Sequence, residues 1–119
     1  MIIGISSNGH DGLNDEVCGH FGKAPTYTLV DTKTGEVRTI DNKSEHAGGT
    51  GTPPMQLESE GVNIVLCGGL GPKAIKALEE RHIEVFVGCT GTVEEALTSW
   101  SSGKLMKADI DSACKEHHH

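Results

Sequence analysis

Two apolar runs, VNIVLC at residues 62–67 and IEVFVG at residues 83–88, constrain this chain more than any other feature. Neither alternates apolar with polar residues, as a strand with one wet face does, so both read as strands covered on both faces. Each leads through glycine into a helical pattern: GGLGP precedes KAIKALEERH, and GCTGT precedes VEEALTSW. Strands joined by helical crossovers lie parallel in one sheet, with helices against its faces. Ala74, Ile75 and Leu78 fall on one face of the first helix. Thr92, followed three residues later by Glu95, is a capping box that opens the second.

The first half supplies the rest of the sheet. IIGIS (residues 2–6) is a short strand that runs into the loop SSNG. TYTLVDT (26–32) and VRTID (37–41) flank the turn signal KTGE and read as a hairpin. NKSEHAGGTGT (42–52) is a polar, glycine-rich loop, and PPMQLESEG (53–61) is a helix with prolines in its first turn and glycine at its end. SGKLMKADIDSACKE reads as a weak, frayed end. The expected order is β-β-β-α-β-α-β-α, with the first strand pairing both halves. That is an α/β, ribonuclease H-like three-layer fold with a mixed five-stranded sheet flanked by helices.

At 119 residues the chain makes one domain, expected over residues 1–110, with a tail at 111–119. Aromatics are 3% of it, so Ile, Val, Leu, Ala and Met must build the core. A net charge of −7 repels phosphate backbones and anionic lipid, which argues against nucleic-acid and membrane partners. No apolar run is long enough to span a bilayer, and MIIGISS lacks the basic segment and length of a signal peptide. The expected location is therefore cytoplasmic. In a reducing compartment Cys18, Cys67, Cys89 and Cys114 read as thiols or metal ligands rather than disulfides. The terminal KEHHH reads as an expression tag or its remnant, so His117, His118 and His119 are set aside.

Ligands of open α/β sheets gather beyond the carboxyl ends of the parallel strands. Three loops reach that rim, at residues 6–25, 68–72 and 88–92. They bring Cys18 and His20 together with Cys67 and Cys89, each of the latter beside a glycine. Soft sulfur and imidazole donors suit zinc, copper(I) or iron–sulfur species rather than magnesium or calcium. The paired CxxC or HxxxH spacing of a zinc site is absent. Few, dispersed donors among glycines fit a preassembled metal–sulfur cluster better. Gly68, Gly69 and Gly71 of GGLGP, leading into a helix, offer it backbone amides and a positive dipole end. Plainer readings stand beside this one. Free cysteine is among the most buried residue types, so Cys67 and Cys89 also suit core positions. His20 can cap a turn while Phe21 packs inward, Cys114 needs no task, and His46 reads as a solvated loop histidine or an extra ligand.

DEVCGHFGKAPTYTLVD, followed by VNIVLCGGLGPKAIKALEERHIEVFVGCTGTVEEAL, resembles the dinitrogenase iron–molybdenum cofactor biosynthesis family of the NifX, NafY and NifB C-terminal type. The likeness covers most of residues 1–105. It rests on HFG before a strand ending in Asp, and on the later GGxG helix with its HIxVxxG pattern. The resemblance implies a ribonuclease H-like fold that binds iron–sulfur or molybdenum-containing clusters as a carrier, store or assembly protein, without catalysis. The family's cluster-binding histidine falls on His20; the cysteines match no family motif.

The expectation is a cytoplasmic protein that binds, carries or stores a metal–sulfur cluster, with a cluster donor or acceptor protein as partner. His20 and Cys18 are the expected anchors, and Cys67 and Cys89 are rim candidates. A protein-interaction or regulatory module with structural cysteines is the alternative. A small enzyme with Cys18 as nucleophile is a third reading.

Overall fold

A computed structural model describes residues 1–43 and 52–109; His46, Cys114 and the tail at 111–119 lie outside them. Six strands form one mixed sheet: β1 (Ile2–Ser7), β2 (Thr26–Asp31), β3 (Val37–Asp41), β4 (Ile64–Leu66), β5 (Glu84–Val87) and β6 (Met106–Ala108). Their order across the sheet is β3-β2-β1-β4-β5-β6. As expected, β1 pairs both halves, antiparallel to β2 and parallel to β4, and β4 runs parallel to β5. The count corrects the five strands expected from sequence. Met106–Ala108, read as a frayed end, is a sixth strand antiparallel to β5. Three residues with only Ala108 partly buried carry too little alternation to be seen in sequence.

The two faces are covered separately. Helix α1 (Pro53–Ser59) and helix α2 (Pro72–Glu80) send Leu57 and Leu78 into a core with Tyr27, Leu29, Val65, Cys67 and Val85. Helix α3 (Val93–Ser101) packs Val93 and Ala96 against Ile3, Ile5, Ile64, Leu66 and Cys89 on the opposite face. The alternation along β4 explains the split, since Ile64 and Leu66 face one layer and Val65 the other. Each fully buried leucine contributes on the order of 2 kcal/mol.

Local signals set the helix ends. The capping box at Thr92 and Glu95 forms, with Glu95 N donating to Thr92 Oγ1 at 3.1 Å and Thr92 N to Glu95 Oε1 at 2.9 Å. Helix α1 opens on prolines and closes at Gly61, φ +81°. There Gly61 N donates to the Glu58 carbonyl at 3.0 Å and Val62 N to the Leu57 carbonyl at 3.1 Å. Helix α2 ends with the same pair of bonds, but the left-handed position is occupied by His82 at φ +60°.

Candidate functional site

The long connection after β1 is laced onto the other rim loops by main-chain bonds. Cys18 N donates to the Ser6 carbonyl and Val17 N to that of Gly91, both at 2.9 Å. Phe21 N donates to the Gly69 carbonyl at 3.2 Å, and His20 bridges Gly69 in the parallel sense. The three loops expected at the sheet's carboxyl rim are therefore neighbours. Asp15, which sequence reasoning passed over, organises this connection. Its carboxylate accepts from Asp11 N at 2.9 Å and Glu16 N at 2.8 Å, and its carbonyl accepts from Val93 N at 2.8 Å. Nothing in the string NDEV distinguishes that aspartate from its neighbours.

The turn that carries His20 is clamped from below. Phe21 is buried, with its ring centroid 5.4 Å from that of Tyr27. The Tyr27 hydroxyl donates to the Phe21 carbonyl at 2.8 Å, and Asn42 Nδ2 donates to the Ala24 carbonyl at 2.8 Å. Burial, with Cys18 and Cys67 close by, holds the Tyr27 phenol well above its ordinary ionisation range, so it remains a hydroxyl donor. Phe21 thus fills the core while its neighbour His20 stays exposed.

Beside His20 opens a cleft of about 520 Å³, lined by residues 19–23 on one side and by Gly68, Gly69, Leu70, Gly71 and Ala74 on the other. The three glycines proposed for ligand contact divide by role. A Cβ on Gly68 would stand 2.9 Å from Gly19 Cα and 3.0 Å from its carbonyl oxygen, so this glycine permits two backbones to meet. A Cβ on Gly69 or Gly71 would meet nothing within 4 Å. Those two leave main chain open to the cleft, and Gly71 is also the residue from which α2 begins.

The sulfur donors are placed less simply. Cys18 is half-buried, packs against the α1–α2 side of the core, and its Sγ donates to the His20 carbonyl at 3.6 Å. Cys67 is fully buried in that same core, whereas Cys89 is buried in the opposite one, beneath α3. Burial pushes the Cys67 thiol up to about 12, with nearby Cys89 adding to the effect. Burial likewise raises Cys89 to about 11, partly offset by a main-chain hydrogen bond from Cys67. Both are neutral thiols at pH 7, and the thiolate is the metal-binding form. Among the described residues no three His, Cys, Asp or Glu side chains come together as a metal-ion site. The rim loops meet, yet Cys67 and Cys89 lie in opposite cores and the four predicted residues form no single donor set among the described residues.

The chain matches the model of a family described as dinitrogenase iron–molybdenum cofactor over residues 1–103. An uncharacterized protein of Methanocaldococcus jannaschii is 28% identical over 99 residues, which are 79% of this chain and 84% of that protein. The NMR structure of a candidate NifB protein from Thermotoga, placed in the DUF35 family, is similar with a TM-score of 0.77 at 31% identity. It covers 89% of this chain and 91% of its own. The apo form of the orange protein from Desulfovibrio gigas has a TM-score of 0.77 at 28% identity, covering 90% of this chain and 92% of its own. No helix among the described residues is long and apolar enough to cross a membrane.

Proposed function

The chain belongs to the dinitrogenase iron–molybdenum cofactor family, and from that premise we propose that the cleft beside His20 receives a preassembled metal–sulfur cluster as cargo. The protein binds, carries or stores an iron–sulfur or molybdenum-containing cluster in the cytoplasm, passes it between a donor and an acceptor protein, and performs no catalysis on it. One observation carries this reading: an exposed imidazole, held on a buried Phe21–Tyr27 clamp, stands over a glycine-walled cleft of about 520 Å³. A cluster that arrives with its own sulfide ligands needs few protein bonds, and His20 supplies one. A bare ion would need a full ligand set, and soft ions favour gathered thiolate and imidazole donors.

Cys18 serves as the second anchor in this reading, reached by a rotation of a half-buried thiol two residues from His20. Cys67 and Cys89 contribute as core residues that shape the floor of the rim, and Gly69 and Gly71 offer main-chain amides to the cargo. The burial of Cys67 and Cys89 also favours the cysteine half of the alternative, an interaction module with structural thiols. Elemental analysis and visible absorption of protein prepared without oxygen test the two. Bound metal with sulfide and charge-transfer bands support cargo binding. Colourless, metal-free protein that stays so after reconstitution with iron and sulfide, or with thiomolybdate, favours the module.

A further inference from the structure

The chain has 17 acidic and 10 basic residues, yet none of the described residues lining the cleft is acidic. The ionisable side chains among them are His20 and Lys23; the rest are glycines, Phe21, Leu70 and Ala74. Three cations elsewhere on the described surface stand in ion pairs: Arg38 meets Glu60 at 2.7 Å, Lys107 meets Glu84 at 3.0 Å and Arg81 meets Glu58 at 3.4 Å. Lys23 takes part in none of the ion pairs among the described residues. It is exposed at the end of the short turn Phe21–Lys23, where its main-chain N–H donates to the His20 carbonyl at 3.3 Å. The turn is therefore held by main chain, and the ammonium is not needed to hold it. On the opposite wall α2, nine residues long, begins from Gly71 with no side-chain cap on its first amides. The positive end of its dipole opens on the same space.

We infer that Lys23 is a specificity-determining residue of this cleft, selecting cargo of net negative charge over neutral and cationic metal species. The inference rests on the cleft being the cargo site and adds what kind of cargo it admits. A monocation a few ångströms from a dianion in a wet cleft changes binding on the order of tenfold at low salt, and screening removes much of this as salt rises.

The test titrates the full chain, at low and high salt, with tetrathiomolybdate and with molybdate, a dianion of the same shape that lacks sulfur. Amide shifts of Gly69 and Gly71 report binding in the wild type, Lys23→Gln and Lys23→Arg. The expected result is a five- to tenfold weaker thiomolybdate complex in Lys23→Gln at low salt, with the gap closing at high salt and Lys23→Arg restoring affinity. A structural role would instead lower the thermal midpoint and leave the salt dependence unchanged. Equal affinity and equal salt dependence in wild type and Lys23→Gln would overturn the inference while leaving cargo binding intact. Molybdate binding that depends on Lys23, without thiomolybdate binding, would uphold the charge selection and remove the metal–sulfur reading. Binding of neither anion would overturn both.

Discussion

Gly68 and Gly19 lie backbone against backbone: a Cβ on Gly68 would stand 2.9 Å from Gly19 Cα. This contact joins the loop after β4 to the loop that carries His20, and so fixes one wall of the cleft against the other. A Gly68→Ala variant has no flexible side chain to push aside, so the two loops must separate. Urea unfolding should show a loss of about 1–3 kcal/mol. Gly69→Ala, whose Cβ would meet nothing within 4 Å, should stay within about 0.5 kcal/mol of wild type. Equal losses in the two variants would contradict the packing role of Gly68.

Tyr27→Phe removes the hydroxyl that donates to the Phe21 carbonyl at 2.8 Å and leaves that carbonyl without its buried partner. The expected loss is about 1–2 kcal/mol by thermal or chemical unfolding. Because the bond lies under His20, amide exchange of residues 20–23 should quicken by more than that of β4. A uniform change across the sheet would speak against a local clamp.

The buried thiols give stability a direction in pH. Folding raises the Cys67 pKa from 9.0 to about 12, so the native state holds this proton more tightly than the unfolded chain. The contribution is complete below pH 9.0, falls as pH rises above it, and is spent near pH 12. Cys89, raised from 9.0 to about 11, acts in the same sense. Urea midpoints measured from neutral to alkaline pH should therefore decline, and Cys67→Val should make the decline shallower. At neutral pH both thiols should resist Ellman's reagent in the native protein and react once it is unfolded. Rapid native reaction of Cys67 would contradict its place in the core.

Helix α2 ends on a non-glycine residue in the left-handed region, His82 at φ +60°. The two main-chain bonds that close the helix, His82 N to the Glu79 carbonyl and Ile83 N to the Leu78 carbonyl, require that conformation. His82→Gly should retain both bonds and relieve the strain, raising stability by about 1 kcal/mol. A loss of stability would mean that the imidazole makes up for its backbone strain.

Much of the frame is legible in the chain because its signals are local. The largely apolar runs at 62–67 and 83–88 place β4 and β5, and Thr92 with Glu95 places the start of α3. The meeting of the three rim loops is legible too, since sheet topology alone decides which loops share an edge. What stays hidden depends on contacts distant in sequence. Strand β6 is defined by its partner β5 rather than by its own three residues. Gly68 looks like a ligand-facing glycine until Gly19 is seen against it. Cys67 and Cys89 both sit at strand ends beside glycine, yet Gly88, at φ +90°, turns the chain out of the β5 pleat and Cys89 enters the core opposite to that of Cys67, a difference their matching flanks conceal.

The central claim is that His20 holds a metal–sulfur cargo in the cleft, and anaerobic titration with tetrathiomolybdate, or reconstitution with iron and sulfide, tests it most directly. Visible absorption should develop ligand-to-metal bands in the wild type and shift or weaken in His20→Ala. That variant should unfold within about 0.5 kcal/mol of wild type, since the imidazole is exposed. Bands that are identical in position and intensity in His20→Ala, or absent from the wild type under both conditions, would contradict the account.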